Sequence, residues 1–156
     1  MVPQSEEEML DTYVSGIVAL RGIFNLSQSE LSVLAGVSRA TINTLENQAD
    51  KFVSPQVVST LKNALEGLGG WIAYPHDGGV FVRVSKSGAY LGKELRKLKG
   101  RDKLARVHLY ALEQLSEVGA RKALSEPESE DYYSNILQME RLSGIRDRVE
   151  KVLESK

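Results

Sequence analysis

The sequence predicts a mainly α-helical protein with one short β-hairpin near its middle. Most of the chain places apolar residues at three- and four-residue steps, between serines suited to begin helices and glycines suited to end them. Two short β-rich runs interrupt this pattern, and turn-forming residues separate them. The 156 residues, 42% hydrophobic and 26% charged, allow one folded domain or a small domain with an appendage.

Composition excludes several classes of protein. The chain has no cysteine, which excludes a disulfide scaffold and a cysteine-ligated metal site, and its two histidines make a histidine-rich site improbable. We expect no cofactor. No apolar run approaches the roughly 18 residues of a membrane span, and the acidic N-terminus does not have the order of a signal peptide. We therefore expect a soluble, cytoplasmic protein with no membrane partner.

Capping residues set the expected helix boundaries. Ser27 and Glu30 form a capping-box pattern before the second helix, and Gly36 is suited to end it. Ser38 is the expected cap of the third helix, and Ser54, followed by proline, begins the fourth. The expected helices span residues 6–24, 28–35, 39–47, 55–67, 89–98, 101–124 and 131–153.

The β-rich runs at 71–74 and 80–84 predict an antiparallel hairpin, because only five turn-forming residues separate them. A break is expected at 85–88 before helical composition resumes. The chain then divides into an N-terminal helical domain (6–67), a hairpin extension (68–88) and a helical C-terminal region (89–156).

Residues 28–47 have the pattern of a helix-turn-helix. Two short helices that cross steeply need apolar inward positions, a small residue at their closest approach and a turn residue free of a Cβ penalty. Ser32 and Gly36 supply the last two. The inward positions are Leu31, Ala35, Val37, Ile42 and Leu45. The second of these helices keeps a polar outer face, as a helix that enters a DNA major groove must.

The segments LSQSELSVLAGVS (26–38), TINTLEN (41–47) and LKNALEGLG (61–69) resemble the Cro/CI-type helix-turn-helix family, also called the XRE family. The resemblance covers about residues 10–84, including the hairpin. It implies that 6–67 is a helical DNA-binding domain and that the protein is a sequence-specific, double-stranded DNA-binding transcriptional regulator. A repressor of the phage or mobile-element kind is the expected type, and an enzyme is not.

The resemblance also implies which residues contact the DNA backbone. Gln28 is expected to bind a phosphate and brace the third helix, and Ser38 and Asn47 are expected to contact the backbone at either end of that helix. Lys51 is a further expected source of phosphate attraction.

A second set of residues is expected to face base edges. Arg39, Ala40 and Thr44 occupy the positions that usually do so in the family, and Thr41 and Asn43 are expected to lie at the DNA beside them. An arginine here can donate two hydrogen bonds to a guanine, and the methyl groups of Ala40 and Thr44 can meet thymine methyls.

Charge is uneven along the chain. Residues 1–66 carry four basic and eight acidic side chains, whereas 67–125 carry eleven basic and five acidic. The segment from Arg83 to Arg106, called the basic segment below, holds nine basic and two acidic residues. We expect it to supply much of the non-specific attraction to DNA. The alternatives are a solvated outer face or contact with an acidic patch of a partner chain.

The last predicted helix carries an apolar stripe that must be buried somewhere. Its members are Tyr132, Tyr133, Ile136, Leu142, Ile145, Val149 and Val152. Burial against a second copy predicts a homodimer, which also suits a helix-turn-helix that reads two half-sites. Burial against the 101–124 helix of the same chain is the competing use.

Other functions stay open at this stage. An antitoxin that regulates its own operon can use the same DNA-binding domain, with its C-terminal region bound to a toxin; an antirepressor is another conceivable protein partner. A restriction–modification controller is a further alternative, and so is an enzyme or scaffold with a vestigial helix-turn-helix. The chain has no catalytic signature: His76 and Asp77 suit a turn, and His108 suits the edge of a core.

Overall fold

The computed structural model describes residues 6–47, 54–73 and 79–155, which form helices joined by one two-stranded hairpin. The elements are α1 (Glu6–Ile23), α2 (Gln28–Ala35), α3 (Arg39–Asn47), α4 (Pro55–Gly67), β1 (Gly70–Ala73), β2 (Phe81–Val84), α5 (Lys86–Leu95), α6 (Arg101–Leu124) and α7 (Glu130–Glu154). The prediction of a mainly helical chain with a short hairpin is confirmed. Every predicted helix except the fifth agrees with the structure to within one residue at each end.

The capping residues account for this agreement. The Ser27 hydroxyl accepts a hydrogen bond from the Glu30 N–H at 3.0 Å, and the Ser27 N–H donates to the Glu30 carboxylate at 2.8 Å. Both bonds of the predicted capping box therefore exist. Gly36 ends α2 in the left-handed conformation, with φ of 70°. The sequence specifies these boundaries locally, because each one depends on residues within a single turn.

The hairpin lies on α1. The strands at 70–73 and 81–84 are antiparallel, and Ile72 on the inner face is buried. It packs so closely on Gly16 of α1 that a Cβ there would lie 2.7 Å from the Ile72 side chain. β1 begins one residue earlier than predicted and β2 one residue later; residues 74–78, which include most of the expected loop, lie outside the described residues.

The expected break at 85–88 is wrong, because α5 begins inside it. The Ser85 hydroxyl caps the helix by accepting a hydrogen bond from the Gly88 N–H at 3.1 Å. Gly88 is buried, and a Cβ at this position would lie 2.5 Å from the carbonyl oxygen of Leu68. This glycine therefore permits close helix packing instead of ending the helix. α5 also ends at Leu95, three residues earlier than expected.

α7 lies antiparallel to α6 and also packs against α2 and α4. The guanidinium of Arg101, at the start of α6, donates to the carbonyl oxygen of Leu153, at the end of α7. Leu142, Ile145 and Val149 have no exposed surface. The centre of the α7 stripe is thus buried within the chain, which is the use that competed with dimerisation. The centre of the stripe therefore does not require a second copy to cover it, whereas Tyr133 is 55% exposed.

One apolar core joins all three segments of the chain. Leu34 of the helix-turn-helix, Ile72 of the hairpin and Ile145 of α7 belong to a single cluster of buried side chains. α2 and α3 therefore pack in the same core as the C-terminal helices.

Candidate nucleic-acid interface

The α2–turn–α3 unit is built as the inward residues predict. Leu31, Ala35, Ile42 and Leu45 are buried, and Val37 is half-buried. Leu34 is also completely buried, although it is not among the predicted inward positions. It follows the same helical step as its neighbours, so the signal was present.

Two side chains fix the start of α3. The Ser38 hydroxyl accepts a hydrogen bond from the Thr41 N–H at 3.1 Å and lies 2.7 Å from the Thr41 hydroxyl. Ser38 therefore caps α3, as predicted, and Thr41 is used for the same purpose. Their hydroxyls are exposed, so the capped end of the helix faces solvent.

The outer face of α3 is exposed and carries a positive charge. The exposed residues of α3 are Arg39, Ala40, Thr41, Asn43, Thr44 and Asn47. This set contains one cation and no carboxylate. It includes every predicted DNA-contacting residue that lies on α3.

The one carboxylate of α3 is turned away from this face. Glu46 is bound by the Arg21 guanidinium of α1 through two hydrogen bonds, of 2.9 Å from Nε and 2.5 Å from Nη2. The Glu46 side chain is only 7% exposed. Arg21 also donates to the carbonyl oxygen of Leu26 at 2.9 Å. The arginine thereby connects α1, the α1–α2 turn and α3.

Gln28 joins the start of α2 to α3. Its amide nitrogen lies 3.4 Å from the Asn43 side-chain oxygen and 3.4 Å from the Glu46 carboxylate. Asn47 donates to the same Asn43 oxygen at 2.8 Å. Gln28 is half-buried, and its amide braces α3. Because the Asn43 side-chain oxygen already accepts two hydrogen bonds, the NH₂ group of Asn43 is the part of the side chain that is left to donate.

The helical pair α6–α7 holds α2 at both ends. At the first end, the Lys103 ammonium donates to the Asn25 carbonyl at 2.5 Å and lies 3.2 Å from the Glu30 carboxylate. At the other, Arg148 donates to the Leu34 carbonyl at 2.6 Å. Burial lowers the pKa of Arg148 from its usual value. Neither contact could be predicted from the sequence, because the partners are far apart in the chain.

The cations of the basic segment fall into two groups, those with a partner within the chain and those exposed to solvent. Three of its cations have partners within the chain: Arg101 on the end of α7, Lys103 on α2, and Arg106 on Glu94. Arg106 donates hydrogen bonds to the Glu94 carboxylate, the shorter of them 2.8 Å long, and these bonds lower the pKa of Glu94. The same bonds raise the pKa of Arg106. The remaining cations are exposed: Arg83, Lys86, Lys93, Arg96, Lys97 and Lys99.

Lys51 and both histidines lie in the chain outside α2, α3 and the basic segment. Lys51 and His76 lie outside the described residues. His108 is half-buried, with its Nε2 atom 4.0 Å from the Glu150 carboxylate. Within the described parts of the chain, no cluster of three or more acidic, histidine or cysteine residues could hold a metal ion.

Comparisons with models of protein families, with curated proteins and with solved structures find no match to this chain. Across residues 6–47, 54–73 and 79–155, none of the helices has the length and apolar character needed to cross a bilayer.

Proposed function

We propose that this protein is a DNA-binding transcriptional regulator, of the repressor kind, that reads the major groove with α3. The observation that carries the proposal is the exposed face of α3, which presents Arg39, Asn43 and Thr44 to solvent while its only carboxylate is bound internally by Arg21. Such a face offers donors and methyl groups to base edges without repelling phosphates. This function implies a cytoplasmic location.

The rigidity of the unit supports the same function. Base-specific hydrogen bonds require side chains held in a fixed position, and α3 is tied to α1 through Arg21 and to α2 through Gln28. α2 is in turn held by Lys103 and Arg148. The start of α2 is the end that approaches the DNA backbone in the proposed complex, because its free N–H groups attract phosphate.

The basic segment gains a more specific role in this proposal. The contact of Lys103 with Glu30 brings the start of α6 beside the start of α2. Lys97 and Lys99 precede Lys103 by only a few residues in the chain. We expect these exposed lysines to neutralise flanking phosphates. The measurement is the salt dependence of affinity. Each phosphate contact that glutamine substitution removes should reduce the slope of log affinity against log salt by about 0.9 for double-stranded DNA.

We also propose a homodimer, formed through α6. Exposed small or apolar residues recur along one side of this helix at three- and four-residue steps, and they are Ala105, Leu109, Leu112, Ser116, Ala120 and Ala123. Leu109 is 48% exposed and Leu112 is 43% exposed. Antiparallel pairing of two α6 helices about Leu112 sets Leu109 against Ser116 and Ala105 against Ala120. Leu109 then meets a small residue, Ala105 and Ala120 let the helix ends approach closely, and Leu112 lies at the centre of the interface.

The dimer is tested by light scattering at micromolar concentration. The unaltered protein should have twice the mass of the 17.2 kDa chain. Leu112→Lys should give a monomer, because it buries a charge at the centre of the interface. Leu137→Lys, at a leucine of α7 that is 45% exposed, is the matched control and should leave the mass unchanged. A monomeric parent protein would contradict the proposal.

DNA binding is tested by selecting duplexes from a random library with the full chain. We expect enrichment of a two-fold symmetric sequence with half-sites separated by about one helical turn or a multiple of it. Failure to enrich any sequence, with the protein folded, would refute a sequence-specific function.

A further inference from the structure

A polar cleft lies between the hairpin, α6 and α7, away from the proposed DNA-binding face. Its walls come from the end of α4, from β1, from the start of α5 and from the facing sides of α6 and α7. The volume is about 370 Å³. This is within the size range of pockets that bind small molecules, which runs from about 300 to 1,000 Å³. We call it the side cleft.

Three polar side chains in the side cleft have unused hydrogen-bonding capacity. Gln114 and Arg121 project from α6, and Ser134 projects from α7. None of these side chains forms a hydrogen bond or an ion pair with the described part of the chain. Arg121 and Ser134 are exposed and Gln114 is half-buried, so all three are accessible to a molecule in the open space that they line. Beside the cleft, Val118 of α6 and Leu142 of α7 are buried.

The charge of the side cleft favours an anion. Among the described residues that line it, Glu66 is the only carboxylate, and Arg141 at 2.6 Å and Lys62 at 3.1 Å already bind it. Arg121 has no such partner in the described part of the chain. A planar guanidinium with free N–H groups is suited to bind a phosphate or a carboxylate with two parallel hydrogen bonds.

A flat surface and an amide complete the lining. Trp71 is 53% exposed at the rim of the side cleft, although a large aromatic side chain is usually more buried. Its ring can stack against a flat ring of a ligand. Gln114 supplies both a donor and an acceptor for the polar edge of such a ring.

We propose that the side cleft binds a small anion that carries a flat heterocycle, of the nucleoside monophosphate class. Arg121 binds the phosphate, Trp71 stacks on the heterocycle, and Gln114 bonds to its edge. The side cleft contains no residue of the proposed DNA-binding face, so a test of ligand binding is independent of a test of DNA binding.

The single tryptophan makes the test direct. Trp71 is the only tryptophan of the chain, so its fluorescence reports on the side cleft alone. Adenosine 5′-monophosphate is the probe, titrated into the full chain up to about 1 mM, the upper end of typical KM values for metabolites. We expect a saturable change in fluorescence. Adenosine and inorganic phosphate, titrated separately, should each bind at least about tenfold more weakly, because each offers half of the contacts.

Two variants assign the response to the site. Arg121→Gln should weaken binding by about tenfold or more, because a charge-assisted bond to phosphate is lost. Arg96→Gln, at an exposed arginine outside the side cleft, is the matched control and should bind as the parent does. Both should melt at the parent temperature, because neither side chain has a hydrogen-bond or ion-pair partner among the described residues. No saturable change, equal binding of phosphate alone, or equal weakening by both variants would overturn the proposal.

Discussion

The ion pair between Arg21 and Glu46 gives the sharpest prediction about stability, because it joins α1 to α3 on the side opposite the exposed face of α3. The two hydrogen bonds are 2.9 and 2.5 Å long, and the side chains are 22% and 7% exposed. Arg21→Met leaves the Glu46 carboxylate almost buried without its partner. Breaking a buried pair costs about 3–5 kcal/mol, and the partial exposure of the arginine puts the expected loss at about 3 kcal/mol.

The double variant separates the charge from the packing. Arg21→Met combined with Glu46→Leu removes both charges and keeps apolar volume, so we expect it to recover to within about 1 kcal/mol of the parent. The assay is urea unfolding followed by circular dichroism for the parent, both single variants and the double variant. If the double variant is as unstable as Arg21→Met alone, the loss came from packing, and the reasoning about an unpaired carboxylate is wrong.

Three further outcomes follow from the packing and charges of the described residues. Gly36→Ala should lower the free energy of unfolding by about 1–2 kcal/mol, because Gly36 has a φ of 70°. Gly22→Ala, with no atom near the added methyl, should be neutral or stabilise α1 by up to ~1 kcal/mol. Thermal unfolding measures both. Ile145→Ala should cost about 2–5 kcal/mol, and Leu124→Ala, at a residue 88% exposed, less than about 0.5 kcal/mol, in the same assay. The pKa of Glu94 is lowered from its usual value of 4.5, so the ion pair with Arg106 stabilises the fold above that pH. This stabilisation is lost as the pH falls through the lowered pKa. The free energies of unfolding of Glu94→Gln and of the parent should therefore differ at pH 7 and converge in acid.

Local chemistry explains which parts of the fold the sequence could predict. Ser27, Glu30 and Gly36 specify α2 within one or two turns, so a reader of the sequence can place its ends. Gly88 misled the prediction because a glycine near a serine resembles a loop, whereas its role is close contact with a carbonyl on another element. No pattern along the chain distinguishes these two uses.

Long-range partners explain what the sequence could not predict at the candidate interface. Helical spacing alone predicts which residues of α3 are exposed. It does not predict the contacts that hold α3 and α2 in place, because Arg21 binds Glu46 across 25 residues of the chain and Lys103 binds Asn25 across 78. The α7 stripe shows the same limit: Ile145 had to be buried, but the sequence did not determine whether its own chain or a second copy would bury it.

The most direct test of α3 as the DNA-reading element is the affinity of Arg39→Ala for a selected duplex and for random duplex, measured by fluorescence anisotropy at one fixed salt concentration. Arg146→Ala removes an equal charge from α7, where the guanidinium bonds to Asp147, and is the matched control. We predict that Arg39→Ala loses about 1–3 kcal/mol on the selected duplex and much less on random DNA, because a bidentate contact to a base is removed. Equal losses on both duplexes, or unchanged binding to the selected one, would contradict the account.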